Sequence, residues 1–225
     1  METPEQTLRG VLQTIENAAK LAGRPRGSRL LAVSKTRPPE AVRDLASAGQ
    51  RAFGENYVQE GIAKIRALSG LGLEWHLIGH LQSNKCREAA EHFDWVQTVD
   101  REKIVPLLAQ YRPASKAPLN VLIQVNIDDE HSKSGCRPED VDALAGTIMA
   151  LGSLTLRGLM AIPDPATSGN GLAFAQMQRL FRELRGTYPT MDTLSMGMSD
   201  DFPVAIAEGA TLVRIGTALF GPRGQ

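Results

Sequence analysis

The sequence predicts an α/β fold, a parallel (β/α)8 barrel of the TIM type, and three observations carry that expectation. Short apolar or β-branched runs alternate with stretches of helical periodicity along the chain. About eight such runs occur in 225 residues, a length at which α/β barrels commonly form one unit. The runs are nearly continuously apolar, as strands buried on both faces must be. A doubly wound open sheet is the runner-up. The chain 1–225 is expected to form a single domain, with no room for a second.

The elements follow in order. Leu8, Val11, Leu12, Ile15 and Ala19 recur at helical spacing over residues 5–21, and "AGRPRG" ends that helix with Gly and Pro. The strand candidates are "RLLAVS", "RAFGE", "EWHLIG", "DWVQTV", "PLNVLIQVNI", "LTLRGLMAI", "TLSMG" and "TLVRIG". Val58, Ile62, Ile65 and Leu68 mark one intervening helix, and Met177, Leu180, Phe181 and Leu184 another. No helix is expected after the last strand, where the chain reads "GTALFGPRGQ"; the N-terminal helix is expected to fill that gap in the outer ring. "PDPATSGNG" is the most loop-like segment.

Composition narrows the function. Lys+Arg 25 balance Asp+Glu 25, so no whole-chain field points to nucleic acid or to a membrane surface. The N-terminus lacks a continuous apolar segment, and no run reaches the roughly 18 apolar residues of a membrane span. Cys86 and Cys136 show neither paired spacing nor a nearby His pair, which argues against a disulfide framework and a metal site. A cytoplasmic protein is expected, and the absence of a long exterior apolar stripe favours a monomer.

In such barrels chemistry collects where strands end. Lys35, Asn56, His80, Asn126, Met160, Ser199 and Gly216 all fall at or just beyond those ends. In "SMGMSDDFPVAIAEG", Gly197 permits a tight turn, Ser199 is expected to cap the next helix and Pro203 fits its first turn. After the last strand, Gly216 lets backbone approach a ligand, and Thr217 offers a hydroxyl and an N–H. Together these suggest a phosphate site, against the plainer reading of Ser199 as an ordinary cap. A phosphate site facing a strand-end lysine suggests a phosphorylated carbonyl compound held as a Schiff base. Pyridoxal phosphate and a phosphosugar both satisfy that description. Arg214, two residues before Gly216, shares its strand face; it is a candidate donor to a pyridine nitrogen, or else pairs with a carboxylate such as Glu208.

The motifs "AVSKT", "FGENYVQE", "WHLIGHLQSNK", "VNIDDEHSKSG", "GLMAI", "LSMGMSDDF" and "VRIGTALFG" occur in that order. Over nearly its full length the chain resembles the pyridoxal phosphate homeostasis proteins, whose barrel is similar to the alanine racemase N-terminal domain, the type III fold of pyridoxal phosphate proteins. "EHSKSG" departs slightly from the bacterial form and touches no proposed contact. The resemblance implies that Lys35 forms the Schiff base with pyridoxal 5'-phosphate, that Ser199, Gly216 and Thr217 bind its phosphate, and that Arg214 meets the pyridine nitrogen. Asn56, His80 and Met160 are implied to line the same pocket. His76 is expected in the core, His92 and His131 on the surface, and Tyr57 packed at a helix start.

The resemblance also implies a carrier that supplies cofactor to apo-enzymes and thereby affects amino-acid and keto-acid balance. A cryptic amino-acid racemase is the alternative, but racemisation needs two acid/base groups, and fold similarity does not transfer a reaction. A phosphosugar aldolase and a barrel serving only as an interaction module stand further back.

Overall fold

Eight parallel strands close into a barrel in the order β1 to β8, each pairing with the next and β8 returning to β1. The structure, a computed structural model, describes residues 3–24, 27–130, 134–164, 169 and 171–221. The strands are β1 Arg29–Val33, β2 Ala52–Glu55, β3 Glu74–Leu77, β4 Trp95–Val99, β5 Leu119–Gln124, β6 Leu154–Met160, β7 Thr193–Ser195 and β8 Leu212–Ile215. Each lies inside one of the runs expected from the sequence.

Helices α1 Pro4–Leu21, α2 Pro39–Ser47, α3 Val58–Ala67, α4 Cys86–His92, α5 Val105–Tyr111, α6 Val141–Met149, α7 Leu172–Thr187, α8 Phe202–Ala207 and α9 Thr217–Phe220 surround them. The last is a correction: one turn of helix does follow β8. Four residues are too few to show a period, so nothing in the sequence pattern announced it.

α1 begins with a capping box, in which the Thr3 hydroxyl accepts from the Gln6 N–H and the Gln6 side chain accepts from the Thr3 N–H. Its buried stripe is Leu8, Val11, Ile15 and Ala19, and it packs against α2, α8 and α9. It therefore covers the seam where β8 meets β1, as expected. Leu12 sits on the shoulder of the stripe and is largely exposed.

Because successive strand side chains alternate, two cores result. The larger lies between strands and helices and is apolar, with Phe53, Phe93, Ile123 and Phe174 fully buried. Burial of that kind contributes about 1.5–3 kcal/mol per large side chain. The barrel bore is mixed. One side holds Leu31, Ala52, Ile78 and Leu212, another Trp95, Leu122 and Met160. His76, Gln97, Ser195 and Arg214, all buried, fill much of the remainder. Among the described residues no helix is long and apolar enough to cross a membrane, and no group of metal-capable side chains clusters. The "PDPATSGNG" segment lies largely outside the described residues, as does His131.

Candidate functional site

Lys35 lies two residues beyond β1, half-buried, in a turn closed by the Arg37 N–H donating to the Ser34 carbonyl at 3.0 Å. The turn is conformationally costly, because Thr36, a β-branched residue, has φ of +63°. It is held in place from behind the sheet. Lys64 of α3, itself buried, donates to the Ser34 carbonyl at 2.6 Å and to Glu55 and Glu60, both at 2.8 Å. Glu60 in turn accepts from the Thr36 N–H at 2.5 Å, and the Ser34 hydroxyl donates to Glu55, also at 2.5 Å. On the far side Arg37 donates to the Gly221 carbonyl, tying the turn to the end of α9. Lys64 and Glu60 thus hold the backbone on either side of Lys35.

Glu55 lies within this clamp as a fully buried carboxylate with one oxygen, Oε2, unpartnered. Burial raises its pKa above the usual carboxyl value, while the bonds from Lys64 and Ser34 pull the other way.

β8 delivers the second group to the same rim. Leu31 pairs with Arg214 and Ala32 with Ile215, so the ends of β1 and β8 lie side by side. Gly216 then passes so close to β1 that a Cβ there would lie 3.2 Å from the Val33 carbonyl oxygen and 3.4 Å from its Cβ. Thr217 follows as the first, exposed residue of α9. Arg214 points into the bore at 4% exposure, donating from Nη1 to the Ser195 hydroxyl and from Nη2 to the Ala161 carbonyl, both at 2.8 Å. A guanidinium carries five N–H donors, so three remain beyond these two. Burial lowers its pKa to about 10, which leaves it charged at neutral pH. The sequence left Glu208 open as its partner; among the described residues Arg214 instead bonds a hydroxyl and a carbonyl and makes no ion pair with a carboxylate.

β7 runs into the third part of the rim. Gly197 adopts φ of +91° and packs where a Cβ would meet the Ala205 side chain at 2.6 Å, so the tight turn expected there requires glycine. Ser199 does not cap α8. Asp201 occupies that place, its carboxylate accepting from the Met198 N–H at 2.7 Å, and Pro203 falls in the first turn as expected. Two acidic residues follow Ser199, and the helix begins beyond the second. Ser199 itself is half-buried in the turn between β7 and α8.

Met160 ends β6 fully buried and pairs in register with Ser195, the residue that receives Arg214. Asn56 and His80 lie further round the rim and line one cavity of about 440 Å3 with Tyr57, Gly79, Gln82 and Lys85. His80 is half exposed, 3.7 Å from Asp100 and 3.4 Å from the Ser134 hydroxyl. Tyr57 does not pack as expected: it precedes α3 and is 62% exposed. Asn126 spends its amide on the Glu130 backbone and so shapes its own loop. His92 is half-buried, its ring 3.0 Å from the Glu88 carbonyl of its own helix.

Sequence reasoning missed the clamp residues Lys64 and Glu60, and it missed Gln97 and Ser195 in the bore. The available signal was a polar residue inside an apolar strand run, at "WVQTV" and "TLSMG".

Comparison with known proteins bears on this arrangement. The profile of the alanine racemase N-terminal domain matches residues 10–224. The chain is 53% identical to the pyridoxal phosphate homeostasis protein of Vibrio cholerae over 99% of this chain and 98% of that one. It is 40% identical to PipY of Synechococcus elongatus, solved with pyridoxal phosphate bound, over 92% of this chain and 100% of that one, with a TM-score of 0.79. Alanine racemase of Clostridium difficile shares the fold at 15% identity and a TM-score of 0.74, and the match spans 56% of that enzyme.

Proposed function

Because the chain belongs to the family of pyridoxal phosphate homeostasis proteins and carries the alanine racemase N-terminal domain, we propose that it binds pyridoxal 5'-phosphate at the rim where β1 meets β8 and holds intracellular cofactor in reserve. The observation that carries this reading is the meeting of Lys35, Arg214 and Gly216 on two paired strand ends.

The residues present suit the group. The close pass of Gly216 against Val33 makes a cradle that a side chain would fill, and beside it Thr217 and Ser199 bind the phosphate. When bound, pyridoxal phosphate supplies an aldehyde that condenses reversibly with an amine. Lys35 Nζ would be that amine, presented at the rim by the turn that Lys64 and Glu60 hold. Arg214 would offer one of its remaining N–H groups to the ring nitrogen and so keep that nitrogen unprotonated, which would weaken the ring as an electron sink. Met160 forms the floor, and Asn56 and His80 border the site on the β2 and β3 side.

A carrier fits this rim better than a racemase. Tyr57, the tyrosine closest to it in sequence, is exposed rather than enclosed, and catalysis by a charged group relies on water exclusion. The protein accordingly acts in the cytoplasm as a monomer that loads, limits the free aldehyde and delivers it to apo-enzymes.

The test is the absorption spectrum of purified protein with added pyridoxal phosphate, before and after borohydride, with mass analysis of the Lys35 peptide. A visible band that disappears on reduction, with the pyridoxyl mass on Lys35 and no such mass in Lys35→Ala, is the expected outcome. A band that persists in Lys35→Ala with the label elsewhere would remove Lys35 from its role. Saturable turnover of any L- or D-amino acid above that of free cofactor would restore the enzyme reading.

A further inference from the structure

The bore contains a line of buried polar side chains that neither the fold nor simple cofactor binding requires. From Arg214 Nη1 it runs to the Ser195 hydroxyl at 2.8 Å, on to Gln97 Oε1 at 2.7 Å, from Gln97 Nε2 to His76 Nδ1 at 2.8 Å, and from His76 Nε2 to Glu74 Oε1 at 2.8 Å. Glu74 opens β3 at the opposite rim and is held there by Arg29 at 2.6 Å. Ser195, Gln97 and His76 are each 0% exposed. His76 also stacks on Trp95 with ring centroids 5.0 Å apart and planes 10° apart, which fixes its ring orientation. Burying a polar side chain is unfavourable unless it is hydrogen-bonded, and Ser195, Gln97 and His76 each have partners on both sides.

Donor and acceptor rules give the line a single direction. Glu74 is ionised: burial raises its pKa, but the His76 bond and the Arg29 charge outweigh that and hold it at about 2. An ionised carboxylate only accepts, so His76 must present Nε2–H to it. Burial lowers the His76 pKa, which keeps the ring neutral, so Nδ1 carries a lone pair and accepts. Gln97 must then offer its NH2 to His76 and its carbonyl to Ser195. Ser195 spends its one proton on that carbonyl, which leaves its oxygen lone pairs facing Arg214, a group that can only donate. Turning the Gln97 amide over would require a proton on both His76 nitrogens. That charge would sit fully buried, near Glu74, Asp94 and Arg29.

We propose that Glu74, His76, Gln97 and Ser195 form a one-way relay that fixes the Arg214 guanidinium in the mouth of the barrel, making them positioning residues for its contact with the cofactor ring. The contact itself rests on the function proposed above; the orientation of Arg214 does not. The relay gives the Ser195 oxygen no choice but to accept, so the Arg214 plane is set before any ligand arrives.

Two measurements test it. In apo protein labelled with nitrogen-15 at histidine and arginine, His76 should be the neutral Nε2–H tautomer from mildly acidic to mildly basic pH, and the Arg214 Nη signals should be resolved by restricted rotation. Gln97→Leu and Ser195→Ala should merge those Nη signals, while Ser195→Thr should keep them apart. A titrating His76, an Nδ1–H tautomer, or Nη signals unchanged in Gln97→Leu would overturn the relay, and the wild-type spectrum decides alone if a variant does not fold. In loaded protein Gln97→Leu should shift the visible band and weaken retention about tenfold, as loosening the Arg214 contact with the ring would. If wild type carries no label on Lys35, the proposed function fails while the apo spectra still judge the relay. If wild type is labelled and Gln97→Leu matches it in band and retention, the positioning role fails alone.

Discussion

Two buried polar networks flank the same rim and are built on opposite principles. Behind the sheet, Lys64 is matched against Glu55 and Glu60, so charge meets charge, and the group held is backbone, the turn that carries Lys35. Inside the bore, among the described residues, Arg214 donates to two neutral oxygens, and the anion at the end of the relay, Glu74, lies three side chains away at the other end of the barrel. The first network spends its one cation on two carboxylates within the protein. The second ends in a cation with donors to spare, which is what an acceptor on a ligand requires. Which partners a buried cation has thus distinguishes the two networks more sharply than burial does, since both lysine and arginine are nearly inaccessible.

The largest effect that would test this contrast comes from the first network. Lys64→Met leaves two carboxylates without their cation, one of them fully buried, and should destabilise the protein by about 3–5 kcal/mol, roughly 10 °C in melting temperature. Calorimetry checks it; a change near zero would mean that Lys64 does not hold these carboxylates against burial. Next in size is Gly216→Val, whose branched side chain must displace the Val33 backbone. It should cost about 1–3 kcal/mol in stability and weaken pyridoxal phosphate retention about tenfold or more, read by equilibrium dialysis.

The smallest effect is the most specific, because the two networks should answer pH with opposite signs. The Glu74 pKa is depressed, so its contribution is present above the usual carboxyl value and is lost as pH falls from 4.5 towards 2. The Glu55 pKa is raised, so its contribution is complete below that value and is lost as pH rises through the folded-state pKa. Denaturant midpoints followed across pH should therefore lose part of their acid-side rise in Glu74→Gln and part of their decline at higher pH in Glu55→Gln. Identical profiles for the two variants would dissolve the distinction.

These networks also mark where the sequence ceased to be readable. The eight strands were legible because each is an apolar run bounded by turn residues, and Lys35, Met160 and Gly216 were legible because a strand end is visible in one dimension. The relay was not. Ser195 and Gln97 meet across the bore from strands far apart in the chain, and only barrel closure makes them neighbours. His76 was correctly expected to be buried, but a histidine in an apolar run does not reveal what its nitrogens face. Ser199 was read as a cap because serine favours that position, whereas the helix starts two residues later, with Asp201 at the N-cap position and its carboxylate turned back to the Met198 N–H. Thr36 carries no sign of its left-handed backbone, since its residue type disfavours it. Tyr57 shows the limit of residue-type expectation in the other direction, an aromatic left in water where packing is the commoner fate.

The pairing of β1 with β8 has a further consequence, which concerns time rather than geometry. Arg29 finds Leu212 across nearly the whole length of the chain, so this ladder is the most non-local in the molecule, and contacts of that kind form late because the intervening polymer must be ordered first. Lys35 lies just past one of these strands and Gly216 just past the other. A ligand gripped by both would fasten the last joint to close, so its residence would report on whether the barrel has finished folding, and its departure would loosen the shell along that single line before anywhere else.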